Sequence, residues 1–314
     1  MKKKIRVSFI GAGEMTREHL KVFSNNKNYE IAGIYSKSKK KVNDLKKKYK
    51  LLESFNCIKD LNNETNSDLV VISIYETEVI KMYKKILQYK WICLFEKPLG
   101  INLRETLKIL KYIKSNKKKV FISLNRRFYQ STILAKKLIF SNHSKRKLFI
   151  NDSQSKKIFY KKRKNIKATK YSMYCNSIHL IDYISIFCRG KILKIKKYLK
   201  WNSKKNEDVF VKILFSSGDQ AIYYSFWKTY EKWFINLSND KAEISFKPLE
   251  KINIINPPNK NKKNFYYKVD NLYKPGLWNQ SNEIVNFFKK KKYNLISEIE
   301  YLKTAKLINL IYKM

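Results

Sequence analysis

Acidic residues are scarce in this 314-residue chain: 25 Asp and Glu stand against 69 Lys and Arg, for a formal charge of +44. Glycine is scarcer, at 7, and there are 5 prolines, 4 cysteines and 3 histidines. Each shortage excludes something. The cysteines (Cys57, Cys93, Cys175, Cys188) form no C-x-x-C pair and show no metal-ligand spacing, so no metal site is expected. They read as the reduced thiols of a cytoplasmic protein. No apolar run approaches the ~18 residues that a membrane span needs. The basic head MKKK and the apolar run after it imitate a signal peptide, but that run is short and meets Glu14, Arg17 and Glu18. It reads as a strand. No linker rich in Pro, Gly and Ser divides the chain.

The positive charge invites a nucleic-acid reading, because Lys and Arg neutralise phosphates. The lysines are spread along the whole chain, however, together with a surplus of Asn, Ile and Tyr that share AT-rich codons. Genome composition accounts for this pattern better than a selected nucleic-acid surface. The field still favours anionic small molecules.

What is present is length for roughly two domains and 44% hydrophobic residues, enough for large cores. The first ~120 residues alternate β-rich runs with helical patterns, the mark of parallel βαβ units. Strands are expected at 5–10, 30–35, 69–73, 91–95 and 120–123, with helices at 14–23, 39–49, 77–88 and 103–115. The strands are nearly all apolar, as in a sheet covered on both faces. After Arg127 a helix at 132–140 leads to a Lys-rich loop over about 152–170 and a helix at 178–187. Strand-like runs follow at 192–199, 209–215, 220–226, 233–238 and 243–246 without helices between them. Helices at about 279–290 and 297–312 close the chain. The expected fold is α/β: a doubly wound parallel sheet over residues 1–123, then an α+β domain over 124–314 with a mostly antiparallel sheet.

VSFIGAGEMTREHL places Gly11 and Gly13 after the first strand and before the first helix. A turn with bare backbone lets a pyrophosphate approach the helix N-terminus, where free N–H groups and the dipole favour anions. Thr16 stands at the third fingerprint position, which predicts a looser helix–strand contact. Gly11, Gly13, Glu14 and Met15 are therefore candidate dinucleotide contacts. At the end of the second strand, where an acid would bind ribose hydroxyls, the chain has Tyr35, Ser36, Lys37 and Ser38 and no carboxylate. Ser36 and Lys37 suit a 2′-phosphate, which favours NADP over NAD, although Lys37 could equally be a solvated surface lysine. Ser73 at the end of the next strand, and Glu96 and Lys97, complete the cofactor candidates.

The apolar run Trp91 to Phe95 stops in Glu96, Lys97 and Pro98. Ligands of open α/β sheets sit at the carboxyl ends of strands, so Lys97 lies on the ligand rim, and Pro98 restricts its backbone. YCNSIHLIDYI places His179 and Asp182 three residues apart on one helical face. Taken alone, that pair is better explained as a satisfied structural pair than by chemistry.

With IGAGEMTREHL, EKPLG, SLNRRF and SIHLID in these positions, the sequence resembles the glucose–fructose oxidoreductase/inositol dehydrogenase/MocA (Gfo/Idh/MocA) family over nearly its whole length. WFINLSNDKAEISFKPLEKI and YKPGLWNQSNEIVNFF look like a bacterial subgroup found near surface-polysaccharide genes. The resemblance implies a Rossmann domain followed by a domain whose open-faced sheet carries substrate and makes a homo-dimer or homo-tetramer. It implies NAD(P)-dependent hydride transfer to or from a sugar or nucleotide-activated sugar, interconverting alcohol and ketone. In the family the EKP lysine and the H-x-x-D histidine face the substrate. Carried over, Lys97 would bind the reacting oxygen, His179 would act as acid/base and Asp182 would orient it. Arg126, Arg127 and Asn176 join Lys97 and His179 as substrate-binding candidates. Many relatives place an Asp four residues before this histidine, and here that position is Cys175. The departure keeps open a second reading, a catalytically weakened dinucleotide-binding sensor or scaffold of the same fold.

Overall fold

In the computed structural model of the chain, residues 3–49, 52–140, 143–202, 208–227, 232–255, 262–265 and 267–313 are described. They divide into two compact units: Met1–Asn125 with Leu272–Leu302, and Arg126–Asn271 with Lys303–Met314.

The first unit is built on β1 (Ile5–Ile10), β2 (Tyr29–Tyr35), β3 (Ser54–Phe55), β4 (Leu69–Ile72), β5 (Ile92–Glu96) and β6 (Val120–Ser123). They form one parallel sheet in the order β3-β2-β1-β4-β5-β6. All four residues of β4 and of β6 are buried, which requires apolar side chains on both faces. The helices between the strands are α1 (Glu14–Ser24), α2 (Lys39–Lys48), α3 (Ile58–Thr65), α4 (Val79–Leu87) and α5 (Leu103–Ser115). In α5 the buried residues are Thr106, Ile109, Leu110 and Ile113, the i, i+3, i+4, i+7 stripe of a helix covering a sheet. Asn102 caps α5 by accepting from the Glu105 N–H at 2.8 Å. The order reverses between β1 and β4, the position at which open α/β sheets bind ligands.

The second unit contains α6 (Gln130–Ile139), β7 (Lys147–Ser153), α7 (Lys156–Arg163), α8 (Ile166–Lys170) and α9 (Ile178–Phe187). Strands β8 (Ile192–Leu199), β9 (Val209–Phe215), β10 (Gln220–Phe226), β11 (Phe234–Ser238), β12 (Glu243–Phe246), β13 (Ile252–Ile255) and β14 (Lys262–Phe265) follow, then α10 (Val269–Leu272). The eight-stranded sheet runs β14-β13-β12-β11-β7-β10-β9-β8 and is antiparallel except between β7 and β10. Burial alternates strictly along β9, β10 and β11, so one face is core and the other is half-buried. The core face packs on α9, which is buried along nearly all its length.

The chain closes with α11 (Leu277–Phe288) and α12 (Glu298–Tyr312). Helix α11 belongs to the first unit. There Gln280 Oε1 accepts from the Ser123 hydroxyl at 3.0 Å, and the Ser281 carbonyl accepts from the Tyr29 hydroxyl.

Two expectations need correction. Residues 152–170 are not a loop. They hold the end of β7 and the helices α7 and α8, capped by Ser155 and Asn165, whose side chains accept from the Ile158 and Ala168 N–H groups. The central strand β7 was also not anticipated. Its apolar run is short, and toward its end stand the buried polar residues Asn151 and Asp152, the second of which opens the expected loop.

Candidate dinucleotide and substrate sites

Strand β1 is followed directly by Gly11, whose φ is +107°. Its N–H donates to the Tyr35 carbonyl at 2.8 Å, and the Ser73 N–H donates to the Ile10 carbonyl at 2.9 Å. A Cβ on Gly11 would lie 2.1 Å from the Ser73 carbonyl oxygen, so only glycine lets the turn pass between the ends of β2 and β4. Gly13 differs: a Cβ there meets nothing within 4 Å. It stands at the N-cap of α1, which has no side-chain cap, and its first-turn N–H groups need acceptors. Open space in front of an uncapped helix N-terminus fits a pyrophosphate. Glu14 is exposed and Met15 half-buried beside it. Thr16 does not loosen the contact with the strand as its size suggested. It is fully buried, and its hydroxyl donates to the Gly11 carbonyl at 3.0 Å, closing the turn.

At the end of β2, the Ser36 hydroxyl accepts from the Ser38 N–H, and Ser38 caps α2. The exposed Lys37 ammonium stands 3.3 Å from Glu78, which Lys81 holds at 2.6 Å. Hydrogen bonds from these lysines, Lys81 foremost, keep the Glu78 carboxyl below its usual range. Lys37 and Lys81 thus share one carboxylate at the start of α4. Ser73, half-buried at the end of β4, borders the glycine turn.

Glu96 ends β5 with its side chain buried, and its Oε1 lies 2.7 Å from His19 Nε2 of α1. Sequence reasoning missed His19. The available signal was its position in the first helix of a chain with so few histidines. Lys97 follows, half-buried, joined to Pro98 by a cis peptide bond. The next N–H, of Leu99, donates to the Tyr301 hydroxyl at 2.9 Å, which fixes the backbone just after Lys97.

In the second unit, a π-helical turn over Met173–Ser177 leads into α9. Such turns recur at functional sites. His179, the second residue of α9, is 7% exposed, and Cys175 is fully buried. The Asp182 carboxylate takes Arg127 Nε and Nη2, each at 2.7 Å, and the Thr304 hydroxyl at 2.7 Å. A forked guanidinium pair of this kind is a strong, directional contact. The structure therefore joins Arg127 to Asp182. The Arg126 guanidinium lies 4.6 Å from the Trp233 ring centre, a cation–π geometry. Asn176, half-exposed in the π turn, donates through Nδ2 to Gln154 Oε1 at 2.9 Å. Gln154 and its partner Asp152 were not among the residues singled out from the sequence.

No group of three or more His, Cys, Asp or Glu that could hold a metal occurs among the described residues. No helix there is long and apolar enough to cross a membrane.

Residues 5–124 match the family model GFO_IDH_MocA, described as the oxidoreductase family, NAD-binding Rossmann fold. Over those residues the chain is similar to the Gfo/Idh/MocA oxidoreductases. No curated protein matches the chain in sequence. In structure it is similar over 98% of its length to the dehydrogenase MviM from Clostridium difficile, 99% of which is covered, with TM-score 0.81 at 16% identity. It is similar to the UDP-N-acetylglucosamine 3-dehydrogenase GnnA from Acidithiobacillus ferrooxidans, with TM-score 0.78, 13% identity and coverage of 99% and 97%. A third similar structure is the WlbA dehydrogenase from Bordetella pertussis in complex with NADH and UDP-GlcNAcA, with TM-score 0.79, 14% identity and coverage of 100% and 96%. At these identities the likeness is one of fold over both units.

Proposed function

We propose that the protein is an NAD(P)-dependent oxidoreductase that interconverts an alcohol and a ketone on a sugar or nucleotide-activated sugar, in surface-polysaccharide or glycan biosynthesis. The observation that carries this reading is the glycine turn: Gly11 pressed against Ser73, and Gly13 with open space before the uncapped α1. The dinucleotide, when bound, supplies hydride acceptor or donor chemistry. The residues of the chain handle the proton and the oxygen. His179 takes the hydroxyl proton in oxidation and returns it in reduction, as a histidine can near neutral pH. The Lys97 ammonium stabilises the developing charge on the reacting oxygen. Asp182 anchors the helix that carries His179 through Arg127 and Thr304. Arg126, Arg127 and Asn176 complete the substrate side. The sugar reading is supported by the names of GnnA and WlbA and by the net charge of +44, which draws anionic nucleotide sugars.

NADP is the cofactor favoured over NAD, because no acid follows β2 and Lys37, Lys39, Lys40 and Lys41 do. The reduced cysteines suit a cytoplasmic enzyme, and the half-buried face of the eight-stranded sheet suits a homo-dimer or homo-tetramer. Calorimetric titration with NADPH and NADH, with mass spectrometry of any co-purified ligand, tests the reading. Binding of either dinucleotide supports it, and binding of neither refutes it. A second reading, a catalytically weakened sensor or scaffold of the same fold, is favoured by the buried Cys175. Dinucleotide binding without turnover of any nucleotide sugar would select it.

A further inference from the structure

A buried polar chain enters the second unit below the π turn. Asp152, at the end of β7, is fully buried. Its Oδ2 accepts from the Tyr223 hydroxyl at 2.6 Å and its Oδ1 from Gln154 Nε2 at 2.5 Å. The Tyr223 hydroxyl in turn meets the Tyr312 hydroxyl at 2.8 Å, and Tyr312 meets Ser225 at 3.1 Å. In the other direction Gln154, 4% exposed, offers Oε1 to Asn176 Nδ2 at 2.9 Å. Burial raises the carboxyl of Asp152, against hydrogen bonds led by Tyr223 and the charge of Arg126.

The direction of every bond on the Gln154 side follows from one end. A carboxylate oxygen only accepts, so the amide group facing Asp152 Oδ1 must be the Gln154 NH2. The opposite atom of Gln154 is then its carbonyl oxygen, which only accepts. The Asn176 atom facing it must therefore be the NH2. A proton shared between Oδ2 and Tyr223 leaves Oδ1 an acceptor and changes nothing on this side. The two ends of an amide look alike in shape, and only the network tells them apart. Among the described residues Asn176 Oδ1 has no hydrogen-bond partner, and Asn176 is half-exposed one turn before His179.

We propose that Asp152 and Gln154 are positioning residues that hold the Asn176 amide with its carbonyl oxygen outward, so that this position accepts a hydrogen bond from a substrate hydroxyl or N–H. That Asn176 meets substrate rests on the function proposed above; the orientation of its amide does not. The consequence for specificity is a preference for a sugar carrying a donor at this point over its deoxy or O-methyl counterpart, because a buried or half-buried acceptor left unpaired is costly.

The test needs no substrate, so its failure is distinguishable from failure of the oxidoreductase reading. N176D sets a carboxylate oxygen against Gln154 Oε1, two acceptors face to face. In the D152N background the Gln154 amide can reverse: its carbonyl oxygen then accepts from the introduced amide at position 152, and its NH2 donates to the introduced carboxylate at position 176. N176D is expected to lower Tm by ~3 °C or more in the wild-type background, and by much less in D152N. An equal loss in both backgrounds overturns the proposal. If N176D does not fold, NMR with isotope-labelled asparagine reads the same point in the parent protein, the Asn176 signal being identified by its loss in N176S. Its side-chain amide protons should exchange with water at least ~10-fold more slowly than those of exposed asparagines, and Q154L, which removes their acceptor, should abolish that protection in the folded protein. Unprotected Asn176 protons in the parent protein would overturn the inference.

Discussion

His19 Nε2 and Glu96 Oε1 lie 2.7 Å apart with both side chains buried, tying the first helix of the Rossmann unit to the end of its fifth strand. Replacing His19 by leucine keeps the volume and removes the partner of a buried carboxylate. His19→Leu should destabilise the protein by about 2 kcal/mol, the scale of an unsatisfied buried polar group. Glu96→Leu in the same background should recover much of this loss, since removing both partners is far cheaper than removing one. Denaturant unfolding of the two single variants and the double variant checks it.

The two glycines of the phosphate turn should fail in opposite ways. Gly11→Ala meets the Ser73 carbonyl and a φ of +107°, so it should lower Tm sharply. Gly13→Asp has open space and a φ of −84°, so the fold should survive, while its carboxylate repels a pyrophosphate and abolishes dinucleotide binding. Thermal melts and calorimetry on both variants separate the cases. Unchanged affinity in Gly13→Asp would remove the phosphate-turn reading.

Lys37 shares Glu78 with Lys81, so the cofactor preference has a local balance of charge. NADPH should bind more tightly than NADH. Lys37→Ala should narrow the gap several-fold and Glu78→Gln should widen it, on the scale of one exposed charge contact. Titrations at low and high salt check the sign, because both changes should fade as salt screens the site.

Asp219 carries a pH dependence. Burial alone would raise its carboxyl, but bonds from the Arg189 side chain and from the Arg189 and Arg146 N–H groups hold it below the usual range. A carboxyl with a lower pKa folded than unfolded adds stability above the unfolded value of ~3.9, and that stability is lost as pH falls through the folded value. Asp219→Asn should cost about 3 kcal/mol at neutral pH and should flatten the loss of stability on acidification. Unfolding free energies across the acid range test both parts.

Much of this was legible in the sequence because it is local. Buried parallel strands are continuous apolar runs, so β1, β4 and β6 fall at or within a residue of their expected ends. The turn at Gly11 and Gly13 announces itself in a chain with few glycines. What was hidden depends on partners far apart in sequence. Nothing near Glu96 points to His19, and nothing near Asp182 points to Thr304, which is 122 residues away. Strand β7 was hidden because its buried end is polar: Asp152 is tolerated only by virtue of Tyr223 and Gln154. The orientation of Asn176 follows from those same contacts and has no sequence signature.

The most direct test of the central claim is hydride transfer itself, followed by the absorbance of reduced nicotinamide with NADP+ or NAD+ and a panel of UDP-sugars that includes UDP-N-acetylglucosamine. The account predicts reduction of the dinucleotide in step with formation of a keto sugar. It also predicts a fall of ~10²-fold or more in turnover for Lys97→Ala and for His179→Ala, the scale of a lost electrostatic or acid/base group, with dinucleotide affinity and Tm little changed. Full activity in His179→Ala protein would contradict it, as would a folded, dinucleotide-bound enzyme that oxidises no sugar in the panel and reduces no keto sugar.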